Sequence, residues 1–233
     1  MNEITFQGPF SISLVENIFE NGSSGTSGTG GTLTSEIFNS IKKKIILQTG
    51  YITFNHPVFD KKPFTISLNG ISLVVGDSVY QQIRKSSQII LFCCSAGNRL
   101  VDLFQRLMDG GDWIRAYILD ALGTLILEAA LDKMQDQIRI NASKHRWKLT
   151  NRYSPGYCSW DSSEKEKCFS IMPKGFCKIK WDGAATLDPV KSVIGIIGAG
   201  REVEYVPYDC NNCTSLRCLA RQNMPLMHLK IRG

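Results

Sequence analysis

The sequence of 233 residues predicts an α+β fold, in which a mixed or largely antiparallel sheet packs against helices. Three observations support this prediction. The continuous apolar run at 89–94 is typical of a buried strand. The β-branched runs at 64–68 and 71–75 flank Asn69-Gly70, which is a strong hairpin signal. Helical patterns do not alternate regularly with the strands, so a parallel βαβ arrangement is disfavoured.

A long helix is predicted at 113–139, because its apolar residues form a broad stripe suited to central packing. The sequence Asp-Gly-Gly-Asp at 109–112 separates it from a shorter amphipathic helix at 98–108. Thr34 or Ser35 is suited to cap a further helix that runs to about residue 45. Other helical patterns lie at 10–20, 79–85 and 164–171.

The remaining strand signals are short. One pattern lies at 51–54, and short strands are expected after Arg146. The segment 175–198 predicts two strands that are separated by a turn at Asp188-Pro189.

Composition divides the chain into three regions. Residues 1–33 form an N-terminal segment whose Gly/Ser/Thr-rich tract at 21–31 predicts a mobile loop. A phosphate-binding loop is disfavoured there, because no strand pattern precedes the tract and no Gly-Lys-Ser/Thr follows it. Residues 34–205 are predicted to form one α+β domain, and residues 206–233 a cysteine-rich tail.

The charge distribution and the apolar runs exclude several classes of protein. The net charge is +6, but the basic residues are spread along the chain without a basic stripe and interleaved aromatics, so no nucleic-acid partner is expected. The longest apolar stretches are far too short to span a bilayer, and the N-terminus lacks a secretory pattern. We therefore expect a cytoplasmic protein with no membrane partner, whose eight cysteines stay reduced unless they bind metal.

Glu128 is the first candidate binding residue. It is the only charged residue between Asp120 and Asp132, and its neighbours in the long helix are apolar. A carboxylate at the edge of a buried stripe must be paired, whereas one on the outer face is simply solvated. Helical spacing leaves both interpretations open.

The hexapeptide at 152–157, Arg-Tyr-Ser-Pro-Gly-Tyr, is the second candidate. Arg152 can bind a carboxylate through two parallel hydrogen bonds. Pro155 fixes φ, and Gly156 lacks a Cβ, so a ligand can approach the backbone closely. Tyr157 adds an aromatic face and a hydroxyl. By itself the segment is consistent with an ordinary turn or with a ligand-binding loop.

The C-terminal cysteines are candidate metal ligands. Cys210, Cys213 and Cys218 follow the spacing Cys-x2-Cys-x4-Cys, which suits zinc or an iron–sulfur cluster. Both groups normally take four protein ligands, and the fourth could come from Cys158, Cys168 or Cys177, unless a cluster leaves one iron open. Free thiols or a labile disulfide are the alternatives.

The order of several short motifs resembles the activation domain of cobalamin-dependent methionine synthase, and small stand-alone proteins related to it. These motifs are Gly-Asp at 111–112, Leu-Asp-Ala-Leu-Gly at 119–123, Glu128, the hexapeptide at 152–157 and Pro-Val-Lys-Ser-Val at 189–193. The resemblance covers roughly residues 35–200. The family's Cys-Pro-x-His segment after the hexapeptide, and the aromatic pair after its Ser-Val strand, are absent from this sequence.

The resemblance implies that residues 34–205 fold like this activation domain and bind S-adenosylmethionine. Glu128 would pair with the ammonium group of the ligand, and Arg152 with its carboxylate or with nearby polar groups. The backbone of Ser154 and Gly156 would contact the adenine edge, with Tyr157 beside it. None of these residues is implied to be a catalytic acid or base, because the sulfonium is already an activated methyl donor.

The implied function is that of an accessory protein for the reductive reactivation, by methylation, of a corrinoid methyltransferase. The sequence lacks the Asp-x-His-x-x-Gly signature, so the cobalamin would reside on a corrinoid-binding partner. The electron donor would be a protein such as a flavodoxin or ferredoxin. Whether methyl transfer takes place on this chain stays open. The alternative is a metal- or iron–sulfur-binding redox adaptor for a corrinoid protein, with a vestigial ligand groove.

Overall fold

The computed structural model describes residues 29–42, 45–183 and 186–207, with backbone alone for residues 29–32. The helix predicted at 10–20, most of the predicted mobile loop and the three candidate metal ligands Cys210, Cys213 and Cys218 lie outside the described residues.

Five helices and nine strands are described. The helices are α1 (Thr29–Ile41), α2 (Gly76–Ile83), α3 (Asn98–Asp109), α4 (Trp113–Ser143) and α5 (Glu164–Ile171), and a 3₁₀ turn spans Phe176–Lys178. The strands are β1 (Gln48–Asn55), β2 (Val58–Asp60), β3 (Thr65–Leu68), β4 (Ile71–Val74), β5 (Gln88–Ser95), β6 (Lys148–Tyr153), β7 (Lys180–Trp181), β8 (Leu187–Asp188) and β9 (Ser192–Gly200).

The centre of the fold is a four-stranded sheet with the order β1-β5-β9-β6, in which every neighbouring pair is antiparallel. A three-stranded antiparallel sheet, β2-β3-β4, and the short pair β7-β8 complete the strands. The predicted α+β fold with a largely antiparallel sheet is confirmed. Strand β5 is buried on both faces, which explains why its sequence is a continuous apolar run.

Two hydrophobic cores cover the two faces of the central sheet. On one face α1, α3 and α4 pack against the sheet, and buried residues there include Phe92, Leu119 and Ile197. The other face is covered by β3, β4, α2 and α5, and the residues buried there include Trp160 and Ile196. No helix in the described part of the chain is both long and apolar enough to cross a membrane.

The predicted hairpin and the predicted helix break are both present. Asn69 and Gly70 join β3 to β4 with φ values of 51° and 82°, and two consecutive positive φ values are what a type I′ turn requires. Helix α4 begins after Asp112, whose side chain accepts a hydrogen bond from the backbone N–H of Arg115. This bond satisfies one of the unpaired donors of the first turn.

Three boundary predictions are wrong. Helix α1 begins at Thr29 rather than at 34, because Ile37, Phe38 and Ile41 anchor it in the core and adding one turn to a formed helix costs little. Helix α2 lies about three residues before its predicted position. The first strand predicted within 175–198 is instead the short β7-β8 hairpin, whose turn contains Gly183 with a φ of +79°.

Close packing of β9 generates a stability prediction. A Cβ at Gly195 would lie 2.4 Å from the Tyr153 carbonyl oxygen, whereas a Cβ at Gly123 would lie 2.4 Å from a terminal methyl of Leu100. We expect Gly195→Ala to lower the free energy of unfolding by about 1–3 kcal/mol, because backbone cannot move aside. Gly123→Ala should cost less, because the Leu100 side chain can rotate and alanine favours helix over glycine by about 1 kcal/mol.

Equilibrium urea unfolding measures the free energy of unfolding of both variants and shows whether Gly195→Ala is the more destabilising. A Gly195→Ala protein as stable as the parent would show that β6 and β9 do not approach as closely as described.

Candidate functional site

The direction of the Arg152 side chain is set by a β-bulge in β6. Leu149 pairs with Ala199 and Arg152 pairs with Ile197, so β6 advances three residues while β9 advances two. Side chains alternate between the two faces of a regular strand, and the extra residue reverses this alternation. Arg152 therefore lies on the same face as Leu149, towards α4, although three positions separate them.

Polar side chains satisfy the backbone of the bulge. The Thr150 hydroxyl accepts a hydrogen bond from the Gly198 N–H at 2.8 Å and donates one to the Asn151 carbonyl at 2.9 Å. The Asn151 side chain accepts from the Arg152 N–H at 2.8 Å and donates to the Val206 carbonyl at 3.2 Å. Both side chains are buried, so these bonds offset the cost of removing them from water.

Arg152 joins β6 to α4 through three side chains. Its guanidinium donates to Glu128 Oε2 at 3.1 Å, to Asp132 Oδ1 at 2.8 Å and to Gln135 Oε1 at 2.8 Å. The Arg152 side chain is only 13% exposed, whereas Glu128 and Asp132 are 38% and 41% exposed. The arrangement is a nearly buried cation with two carboxylates at the surface, and we call these four residues the Arg152 cluster.

Gln135 supports the cluster from within the core. Its side chain is buried, and its Nε2 donates to the Thr150 carbonyl at 3.2 Å while its Oε1 accepts from Arg152. One amide therefore connects the bulge to the guanidinium. This bond restricts the rotamers of Arg152, because both partners belong to regular elements that pack on the core.

The structure brings Glu128 and Arg152 together, but not in the manner that the sequence predicted. Arg152 was predicted to begin a loop; it lies instead in β6, because pairing with β9 extends the strand to Tyr153. Glu128 is neither fully solvated nor placed opposite Arg152 across a ligand, since the two side chains contact each other directly. Two carboxylates and one guanidinium give the cluster a net formal charge of −1.

Residues 154–157 form a tight turn next to the cluster. The Tyr157 N–H donates to the Ser154 carbonyl at 3.1 Å, and the Gly156 N–H donates to the Trp160 carbonyl at 2.8 Å. Gly156 has a φ of +98°, which favours glycine, and a Cβ there would meet only Ser162 at 3.9 Å. Tyr157 is half-exposed, while Trp160 is buried and anchors the turn to the second core. The turn thus presents open backbone and one aromatic ring.

Four of the five described cysteines are buried core residues, and Cys158 is partly buried against the second core. Cys168 and Cys177 lie buried in the second core, and burial raises the pKa of the Cys168 thiol well above its usual range. A thiol with a raised pKa is a poor metal ligand, because metals bind the thiolate. Burial likewise raises the pKa of Cys94, with smaller electrostatic contributions from Cys177 and Glu128. Within residues 29–42, 45–183 and 186–207, no group of three His, Cys, Asp or Glu side chains could hold a metal ion.

Two members of the Arg152 cluster were missed by sequence reasoning. Glu128, Asp132 and Gln135 occupy positions i, i+4 and i+7 of α4, so they share one helical face. That spacing was visible in the sequence. The bulge that turns Arg152 of β6 towards this helical face was not, because the local sequence gives no signal for the extra residue.

Comparisons with known proteins identify the fold. No protein-family model matches the chain, and no curated protein matches it. The chain matches the crystal structure of the MetH reactivation domain bound to AdoHcy, with a TM-score of 0.52 and 13% sequence identity. The match covers 84% of this chain and 69% of that chain. At this identity the likeness establishes a shared fold, that of a reactivation domain.

The two bonds of Gln135 generate a second stability prediction. We expect Gln135→Leu to lower the free energy of unfolding by about 1–3 kcal/mol, because the buried Thr150 carbonyl loses its donor. The matched control is Gln137→Leu on the same helix, which changes an exposed residue and should alter stability by less than about 0.5 kcal/mol. Urea unfolding measures both, and equal effects would contradict the role assigned to Gln135.

Proposed function

We propose that this protein binds S-adenosylmethionine and serves in the reductive reactivation, by methylation, of a corrinoid methyltransferase. The observation that carries the proposal is the Arg152 cluster, which lies beside the glycine turn at 154–157 on the fold of a domain that was crystallised with AdoHcy. AdoHcy is what S-adenosylmethionine becomes when its methyl group is transferred.

The contact between Glu128 and Arg152 supports a compact zwitterion as the ligand. The ammonium and carboxylate of an amino acid are attached to one carbon, so adjacent groups of opposite charge can bind both. We infer that the ligand carboxylate takes the place of one carboxylate partner of Arg152, and that its ammonium pairs with Glu128. Arginine suits this exchange, because its planar guanidinium binds any carboxylate in the same geometry.

The turn at 154–157 would hold the other end of the ligand. The Gly156 N–H and the Ser154 carbonyl each have a hydrogen-bond partner within the loop. We therefore expect Gly156 to contact the adenine through its carbonyl oxygen. The half-exposed Tyr157 ring offers a face for the base. The absence of a Cβ at Gly156 allows the base to lie close to the chain.

The charge of the cluster favours the methylated form of the ligand. S-adenosylmethionine carries a sulfonium and is net positive, whereas AdoHcy has a neutral thioether. A cluster with a net formal charge of −1 therefore attracts the donor more strongly than the product, although exposure of Glu128 and Asp132 limits the effect. Product release after methyl transfer is thereby favoured.

Partners complete the proposed reaction. A corrinoid held by a separate methyltransferase or corrinoid-binding protein would supply the reduced metal centre that accepts the methyl group, and a flavodoxin or ferredoxin would supply the electron. This chain binds and orients the donor, and its residues supply no acid or base.

Calorimetry tests the ligand and the site together. We expect S-adenosylmethionine to bind the parent protein, and Glu128→Gln to weaken binding about tenfold through loss of a charged hydrogen bond. The matched control is Asp136→Asn, a change at a 61% exposed carboxylate of the same helix, which should leave affinity unchanged.

AdoHcy should bind the parent about two- to fivefold more weakly than S-adenosylmethionine in the same calorimetric experiment. Asp132→Asn should reduce this difference in affinity, because it removes one negative charge from the cluster.

Absence of binding by the parent, or equal losses in Glu128→Gln and Asp136→Asn, would contradict the proposal.

The spacing of Cys210, Cys213 and Cys218 supports a second proposal, a metal- or iron–sulfur-binding redox adaptor. Protein purified without oxygen should then contain zinc, or iron with sulfide, in about stoichiometric amount. Cys213→Ser should abolish the metal content, whereas Cys94→Ala, a change at a buried core thiol, should not. Metal-free parent protein would refute this second proposal.

A further inference from the structure

The turn between α4 and β6 borders an open depression on the surface. Its volume is about 470 Å³, and it is lined by Lys144, His145, Arg146, Trp147 and Arg201. Three of the five side chains are cationic and a fourth is histidine, while none is acidic. The depression is shallow and open to solvent, so a ligand there would lie against one surface and would not be enclosed.

Trp147 gives the depression a fixed aromatic surface. The side chain is partly buried and packs against the first core, and its backbone N–H donates to the Ala142 carbonyl at 3.1 Å. Packing on one side leaves the remaining indole surface to line the depression. An aromatic ring that is held in place and has a solvent-exposed side is suited to stack on a planar base.

Arg146 occupies a backbone position that favours glycine. Its φ is +56°, in the left-handed region, and it lies two residues after the C-cap residue Lys144 of α4. Helices commonly end in a left-handed glycine or asparagine, because a Cβ is unfavourable in that conformation. A glycine at this position would remove the guanidinium without adding backbone strain, which makes Arg146→Gly a useful test variant.

The cations of the depression form no salt bridges within the described part of the chain. Among the described residues, neither Arg146 nor Arg201 forms a salt bridge, and Lys144 contacts only the Asn141 side-chain oxygen at 3.4 Å. Lys148 follows Trp147 directly in the chain, and the exposed Glu202 follows Arg201. The four cations Lys144, Arg146, Lys148 and Arg201 outnumber this one carboxylate, and the excess of positive charge favours an anionic ligand.

We propose that this depression binds a nucleotide carrying a polyphosphate, with the base on Trp147 and the phosphates held by Arg146, Arg201 and Lys144. Arginine binds phosphate through paired hydrogen bonds, and a polyphosphate supplies enough negative charge for several cations at once. An acidic peptide would satisfy the charges but would leave the fixed indole without a planar partner. A bare anion would likewise use only half of the site.

The proposed site is separate from the Arg152 cluster. Lys148 at its border and Arg152 are four residues apart on β6, which corresponds to about 13 Å along a strand. Binding at the depression is therefore independent of the function proposed above, and S-adenosylmethionine should not compete with the nucleotide.

Tryptophan fluorescence and calorimetry on the full chain test the proposal, with Trp147→Phe assigning the optical signal. In about 50 mM salt, we expect ATP to bind about tenfold more tightly than inorganic triphosphate or adenosine. Arg201→Glu should weaken ATP binding about tenfold, and the matched surface change Lys61→Glu should have no effect. Arg146→Gly should weaken binding while keeping or raising the melting temperature, because it relieves the left-handed strain.

Several results would overturn the proposal. These are no ATP binding at about 1 mM, equal losses in Arg201→Glu and Lys61→Glu, and tighter binding of poly-glutamate or of a single-stranded oligonucleotide than of ATP. The proposal would also be overturned if S-adenosylmethionine quenched the Trp147 fluorescence and bound with the same affinity as ATP. A loss of stability in Arg146→Gly would show that the arginine serves the fold and not a ligand.

Discussion

The β-bulge in β6 is the constraint on which the candidate site depends. Without the extra residue between Leu149 and Arg152, the guanidinium would face the second core, on the opposite side of the sheet from Glu128 and Asp132. The bulge itself persists because Thr150, Asn151 and Gln135 satisfy its backbone groups inside the protein. Those bonds require α4 and β9 to be in place, so the site forms only with the complete central layer.

The packing of α4 against β6 also explains why the Arg152 cluster and the cationic depression lie at separate positions on the same helix–strand pair. The helix runs for 31 residues and the strand returns antiparallel along it, so their far ends are well separated. The Arg152 cluster lies where β6 approaches its end, and the cationic depression lies at the connecting turn. Opposite net charges at the two positions suit different ligands, because each attracts what the other repels.

Much of the architecture could be predicted from the sequence, because it rests on local patterns. The apolar run of β5, the Asn69-Gly70 turn and the break before α4 each encode one element without help from distant residues. The sequence also marks Glu128 and Arg152 as candidate binding residues. Their direct contact was not predicted, since it depends on a bulge that no local pattern indicates. The short β7-β8 hairpin was missed because two-residue strands carry almost no periodic signal.

By itself the sequence determined the α+β class, the principal helices and strands, and the chemistry available at positions 128 and 152–157. Those features follow from the spacing of apolar residues and from the conformational limits of glycine and proline. The tertiary structure alone decided that Asp132 and Gln135 join the site, and that Lys144, Arg146 and Arg201 surround Trp147. These groupings arise from strand pairing and packing between residues far apart in the chain, which local sequence does not specify.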